Sequence, residues 1–232
     1  MKLLAIETAT EACSVAVHVD GQVIERFAVA PRRHAELTLP WAGEMLAQAG
    51  ISARQLDAVA ISRGPGAFTG VRLAIAIAQG IALGIDRPLV AVSTLQALAL
   101  QAPKGHGRVF AAIDARMGEV YTGRFADEDG QWQALDTEQV IAPADVDFGD
   151  GSWFGVGTGF AALDAALTTR GVHSLLGVDA TALPHAADVA TLAVAAYARG
   201  EAIAPELVEP AYLRNNVALT IAEQQALRAS KA

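Results

Sequence analysis

MKLLAIETATEACSVAVHVDGQVIERFAVA, residues 1–30, decides how this chain folds. Leu3–Thr8 is an apolar run that meets a carboxylate, Glu7, just before a turn, and Cys13–Val19 is a second run of strand character. Asp20-Gly21 between Val19 and Gln22 is a hairpin signal, because both central positions of the favoured tight turn need positive φ. Gln22–Ala30 then supplies a third strand. The opening returns later in the chain: Leu4-Ala-Ile-Glu-Thr8 is matched by Ala111-Ala-Ile-Asp-Ala115, again a strand that ends on an acid before a turn. That match suggests two topologically similar halves.

Working outward, His34–Ala49 has helical periodicity, with Leu37, Trp41 and Met45 in one row and Glu36, Glu44 and Gln48 opposite. Pro40 lacks the N–H owed to the Glu36 carbonyl, so the helix either kinks or starts there. Asp57–Ser62 is a short buried-type strand, Gly64 to Gly70 a loop, Val71–Leu83 a helix, Leu89–Val92 a strand and Thr94–Gln101 a helix. The first half thus reads βββαβαβα. Pro103-Lys-Gly-His-Gly107 breaks the composition and divides the chain into domains 1–102 and 103–232. Beyond it, Arg108–Ala115, Glu119–Phe125, Trp132–Ile141 and Trp153–Val156 read as strands, with a turn at Asp129-Gly130. Phe160–Arg170 and Ala186–Arg199 read as helices, the segment after Pro205 is expected to run back toward the first domain, and polar Glu223–Ala232 is expected to fray.

Apolar residues form 53% of the 232 positions and charged residues 18%, which excludes a disordered chain and provides for a sizeable core. The net charge is −8 with only three lysines, so tight unaided binding to nucleic acid is not expected. Cys13 is the single cysteine, which excludes an internal disulfide and a thiolate zinc cage and suits a reducing cytosol. Glu7 stops the first apolar run too early for a signal peptide. Val71–Ile85 falls short of the roughly 20 residues that span a bilayer. The expectation is a cytoplasmic protein with no membrane association.

Two related βββαβα-type α/β domains with an acid after each first strand are the layout of the actin-like ATPase superfold of sugar kinases and actin. There the strand-end acids manage metal and water around a nucleotide held between domains. Glu7 and Asp114 occupy those places, yet Glu7-Thr-Ala-Thr10 and Asp114-Ala-Arg-Met117 lack the glycines that let backbone N–H groups approach phosphates. The alternative is that both are strand-end carboxylates accepting turn hydrogen bonds, and the missing glycines favour it. Gly155-Val-Gly-Thr-Gly159 follows a strand and precedes a helix, so Gly157 and Gly159 are further candidates to face a nucleotide; a plain strand-to-helix turn is the alternative. Five histidines show no i, i+4 pair for a metal, and Cys13 sits mid-strand where burial makes a thiol inert. No catalytic set and no metal site emerge.

VRLAIAIAQGIAL, residues 71–83, is apolar nearly all the way round. Ala74, Ala78 and Ala82 make a small-residue row that permits close approach of another backbone, with Leu73, Ile77 and Ile81 as an adjacent large row. It is either a central helix buried within one domain or an interface helix that joins the Trp41 helix in a bundle completed by another chain. On the second reading the partner face is Leu37, Trp41, Met45, Leu73, Ala74, Ile77, Ala78 and Ile81.

MKLLAIETATEACSVAV, RRH at 32–34, AISRGPGAFTGVRLAIAIAQGIAL, VSTLQALA, AAIDARMGEVY and EPAYLRNNVA together resemble the TsaB family, also called YeaZ, from residue 1 to about 218. The resemblance implies a subunit of the tRNA threonylcarbamoyladenosine machinery, which acts with TsaD, TsaE and TsaC on the adenosine beside the anticodon. It implies a heterodimer with TsaD, a homodimer when the chain is alone, and contact with tRNA only through the complex. TsaD, the paralogue, ligates its metal with a His-x-x-x-His pair; Thr94 and Leu98 stand at those places here and cannot ligate comparably. The expectation is therefore a non-catalytic partner with no cofactor of its own, ATP or ADP being held at a composite interface in the complex. A nucleotide-binding or ATP-hydrolysing enzyme of the same superfold is the alternative.

Overall fold

The computed structural model describes residues 1–128 and 130–214; the expected fraying of Glu223–Ala232 and the pair Asn215-Asn216 lie outside the described residues. Strands β1 (Lys2–Glu7), β2 (Ala12–Val19) and β3 (Gln22–Val29) form an antiparallel meander, with Asp20 and Gly21 at φ of 47° and 94° in the tight turn. Helix α1 (His34–Gln48) runs on through the exposed Pro40. Then come β4 (Ala58–Ser62), α2 (Phe68–Ile85), β5 (Leu89–Val92) and α3 (Thr94–Ala99). The first sheet has the order β3-β2-β1-β4-β5, with β4 and β5 parallel to β1.

The second sheet repeats this plan. Its strands are β6 (Arg108–Arg116), β7 (Glu119–Glu128), β8 (Gln131–Ala134), β9 (Gln139–Ile141), β10 (Trp153–Val156) and β11 (Leu175–Asp179). Their order is β11-β10-β6-β7-β8, with β9 also on β7. The helices are α4 (Ala162–Arg170), irregular at Leu163–Ala165, and α5 (Ala186–Ala198).

Alternation along the first sheet separates two cores. Leu4 and Ile6 of β1 join Val15, Val17, Val59 and Ile61 under α1 and α2. Leu3 and Ala5 point the other way, with Ala16, Ala58 and Ala60, against Ala186, Val189, Ala190 and Ala193 of α5. Alanine on both surfaces lets that helix lie close to the strands. The helices are exchanged: α5 crosses the first sheet, whereas Leu95 and Leu98 of α3 pack with Val109, Ala111 and Phe125 of the second. A boundary at 102/103 therefore separates the strands but not the packing units, and the assignment of all of 103–232 to the second lobe is corrected for α5.

Three elements differ from the sequence reading. Helix α2 begins at Phe68 rather than Val71, so it has 18 residues and is long and apolar enough to cross a membrane by length and composition; Ala74, Ala78 and Ala82 are nevertheless fully buried in the core. The single strand expected over Trp132–Ile141 is broken into β8 and β9, because Asp136 turns aside to meet Arg124 of β7 at 2.6 Å. Strand β11 carried no signal strong enough to be read, being five residues interrupted by Gly177.

Candidate functional site

At the C-terminal ends of β1 and β4 and near the start of β2, three polar side chains lie on the side of the sheet that α5 covers. Glu7 is the register partner of Ser14, and Ser62 follows Ile61, the partner of Ile6; all three are fully buried. Ser14 Oγ accepts the Ala186 N–H at 3.0 Å and donates to Glu25 Oε1 at 2.6 Å. Glu25 also accepts the Ala187 N–H at 3.0 Å and pairs with His185 Nδ1 at 2.9 Å, while Phe27 stacks on the His185 ring. These side chains from β2 and β3 cap α5, which has no side-chain cap of its own. Burial pushes the Glu25 carboxyl up, but the bonds from His185, Ser14 and Ala187 outweigh it and hold it below the ordinary value. Its hydrogen bond in turn raises His185.

Glu7 is different. Oε1 accepts the Ala9 N–H at 2.5 Å, but Oε2 has no partner, and neither do the buried hydroxyls of Ser62 and Thr94. Burial pushes its carboxyl up to about 7, against the lowering effect of the Ala9 N–H and of the charge on His185.

The turn after Glu7 is closed by protein. Ala67 N–H donates to Ala9 O at 2.7 Å and Thr8 Oγ1 to Gly70 O at 2.8 Å. A Cβ on Gly66 would lie 2.4 Å from Ala9 O, and one on Gly70 2.0 Å from Thr8 O. The RGPGAFTG glycines thus serve the close approach of backbone to backbone. The expectation that Glu7 faces a nucleotide is corrected accordingly. Gly157 and Gly159 are likewise buried: a Cβ on Gly157 would lie 2.3 Å from Ala112 O, and one on Gly159 2.8 Å from Ala112 Cβ. They seat their turn on β6. Asp114 alone keeps solvent access, its side chain 25% exposed, and it pairs with Arg116 at 2.7 Å. No group of three metal-ligating residues occurs among the described residues, and Thr94 and Leu98 are both fully buried. A cavity of about 250 Å³ between the lobes is lined by Arg63, Ser93, Gln96 and Arg199, and not by Glu7 or Asp114.

The structure divides the expected partner face. Trp41, Met45, Ala74 and Ala78 belong to the core under α1 and α2, so their place on an outward face is corrected: the small row meets the chain's own sheet. Leu37, Leu73, Ile77 and Ile81 are only partly buried. Beside them lie residues the sequence reading did not single out. Leu39 and Leu83 are 54% and 60% exposed, and a Cβ on Gly43, Gly80 or Gly84 would meet nothing within 4 Å. Three glycines inside helices, each costing about 1 kcal/mol against alanine, were the available signal.

Duplicated sheets that exchange helices, each with an acid at the end of its first strand, define a fold of the actin-like ATPase type. Residues 27–222 match the model of the family TsaD, tRNA N6-adenosine threonylcarbamoyltransferase. The TsaB protein of Escherichia coli (strain K12), named for tRNA threonylcarbamoyladenosine biosynthesis, is 45% identical over 225 residues, 94% of this chain and 96% of that protein. The TsaB protein of Haemophilus influenzae is 40% identical over 229 residues, covering 94% and 95%. Among solved structures, YeaZ from Pseudomonas aeruginosa superposes with a TM-score of 0.83 at 43% identity, over 91% of this chain and 99% of that one. The chain belongs to the TsaB family of tRNA threonylcarbamoyladenosine biosynthesis proteins.

Proposed function

We infer that within this biosynthesis the chain is a non-catalytic subunit that holds a TsaD-family partner, through the outward face of α1 and α2. The observation that carries this reading is the set Gly43, Gly80 and Gly84, open on the outside of two adjacent helices among Leu39, Leu73, Ile77 and Leu83. Nothing within the chain uses the missing side chains, whereas a second pair of helices packed at close range would. Alone, two copies of the chain cover the same face. TsaE joins the assembly and tRNA is engaged only by the complex, which works in the cytoplasm away from membranes. ATP or ADP is held between subunits rather than in this chain, a reading supported by the protein-filled turn after Glu7. The closed turn also disfavours an ATP-hydrolysing enzyme.

The test pairs two neighbours on α2. Ile77→Asp places a charge on the outward face and is expected to leave a folded monomer that neither co-elutes with the TsaD partner nor supports tRNA modification. Ala78→Asp buries a charge against the chain's own sheet and is expected to unfold it. A folded Ile77→Asp protein that binds TsaD normally refutes the assignment.

A further inference from the structure

Beyond the first residue of α2, a strip of arginines and exposed rings runs from one lobe to the other. Phe68 is 67% exposed, and the Arg72 guanidinium lies over its ring and 5.0 Å from the ring of Tyr212, itself 53% exposed. The backbone just before Tyr212 is anchored to the first lobe, since Ala211 N–H donates to Arg63 O at 2.8 Å. Two residues on, Arg214 reaches the second lobe, donating to the carbonyls of Ala115 and Arg116 and pairing with Glu119. The β6–β7 turn it holds presents Arg116, whose side chain is 82% exposed, and Met117, 76% exposed.

Asp114 and Glu119 offset Arg116 and Arg214. Arg63 and Arg72 form no ion pair among the described residues, and Arg72 Nη1 is buried without a hydrogen-bond partner. Glu138, whose carboxyl is pushed up by burial, is bonded to Ser93 and lies close enough to feel the Arg63 charge. Arg72, without an ion pair among the described residues, therefore lies between two exposed rings.

We propose that this strip, built on Phe68, Arg72 and Tyr212 and flanked by Arg63, is a contact surface for an unpaired loop of RNA. Rings and guanidinium planes stack on splayed bases, and free guanidinium groups take the phosphates. The strip is continuous with the outward face of α2, so an RNA loop laid on it also meets the subunit docked there. This rests on the partner reading above and adds to it a substrate contact made by this chain.

The experiment uses the complex of this chain with its TsaD partner and an unmodified tRNA, with size and affinity read on the same samples. Phe68→Ala is expected to leave the complex intact and weaken tRNA binding roughly tenfold, as loss of one stacked base would. Arg63→Gln should lower the salt dependence of binding, by about 0.7 in the log–log slope for one single-stranded phosphate. Tyr212→Phe, which keeps the ring, should bind as the parent does, whereas Tyr212→Ala should not. A normal complex with unchanged tRNA affinity and slope overturns the RNA strip, and loss of the complex in Phe68→Ala shows a protein interface and overturns it too. If the parent forms no complex, the partner reading fails instead. The strip is then decided by photocrosslinking a 4-thiouridine-substituted tRNA stem-loop to the chain alone: adducts on the peptides holding Phe68 or Tyr212 support it, and their absence refutes it.

Discussion

Replacing Gly70 by alanine would place a Cβ 2.0 Å from Thr8 O and 3.1 Å from the Thr8 carbonyl carbon. Both neighbours are backbone, so either the first turn of α2 or the β1–β2 turn must withdraw by more than an ångström. That movement breaks the Thr8 Oγ1 to Gly70 O bond of 2.8 Å and strains the Ala67 to Ala9 bond of 2.7 Å. Each buried bond lost costs roughly 1–3 kcal/mol, and the better helix propensity of alanine returns about 1 kcal/mol. With both bonds lost, the net expectation is a loss of about 1–5 kcal/mol. For a chain of this size it lowers Tm by roughly 2–20 °C. The same substitution at Gly80, where nothing lies within 4 Å, carries only the propensity gain and should stabilise the isolated chain by about 1 kcal/mol while weakening association with the TsaD partner. Urea unfolding of both variants at dilute, matched concentration measures the two signs. A Gly70→Ala protein within 0.5 kcal/mol of the parent, or a Gly80→Ala chain less stable than it by about 1 kcal/mol, would refute the backbone-contact reasoning.

The Glu25–His185 cap gives a pH window. His185 is raised above its ordinary 6.5, so its contribution is complete below 6.5 and lost as pH rises through the folded value; Glu25 is held below 4.5, so its contribution is complete above 4.5 and lost as pH falls. The stability deficit of Glu25→Gln should therefore be largest between pH 4.5 and 6.5, and a deficit independent of pH would contradict the ion pair. Glu7 acts oppositely: with its carboxyl raised from 4.5 to about 7, it destabilises the fold increasingly between those values and fully above them. Glu7→Gln should accordingly gain most in thermal melts at pH 8 and least below pH 4.5. Saturating ATP should leave Tm of the isolated chain unmoved; a shift of several degrees would show a nucleotide site that the closed turn does not provide.

The sequence by itself determined what rests on local pattern. Apolar runs of alternating or helical period located most strands and helices, Asp20-Gly21 marked its hairpin, and the echo of Leu4–Thr8 in Ala111–Ala115 exposed the duplication. The TsaB resemblance was legible too, since it lies in contiguous motifs. Composition cannot say what a motif packs against, and there only the tertiary structure decided. RGPGAFTG reads in sequence only as a loop; its glycines admit the backbone of Thr8 and Ala9, residues distant in sequence. An alanine row suits a partner helix or a sheet equally, and the pleat of β4 brought Ala74 and Ala78 against the chain's own core. Helix α5 follows the second sheet's strands in order, yet it is capped by Ser14 and Glu25 of the first sheet. Such long-range pairing depends on which surfaces are left to be covered once both sheets have formed, and no local period encodes it.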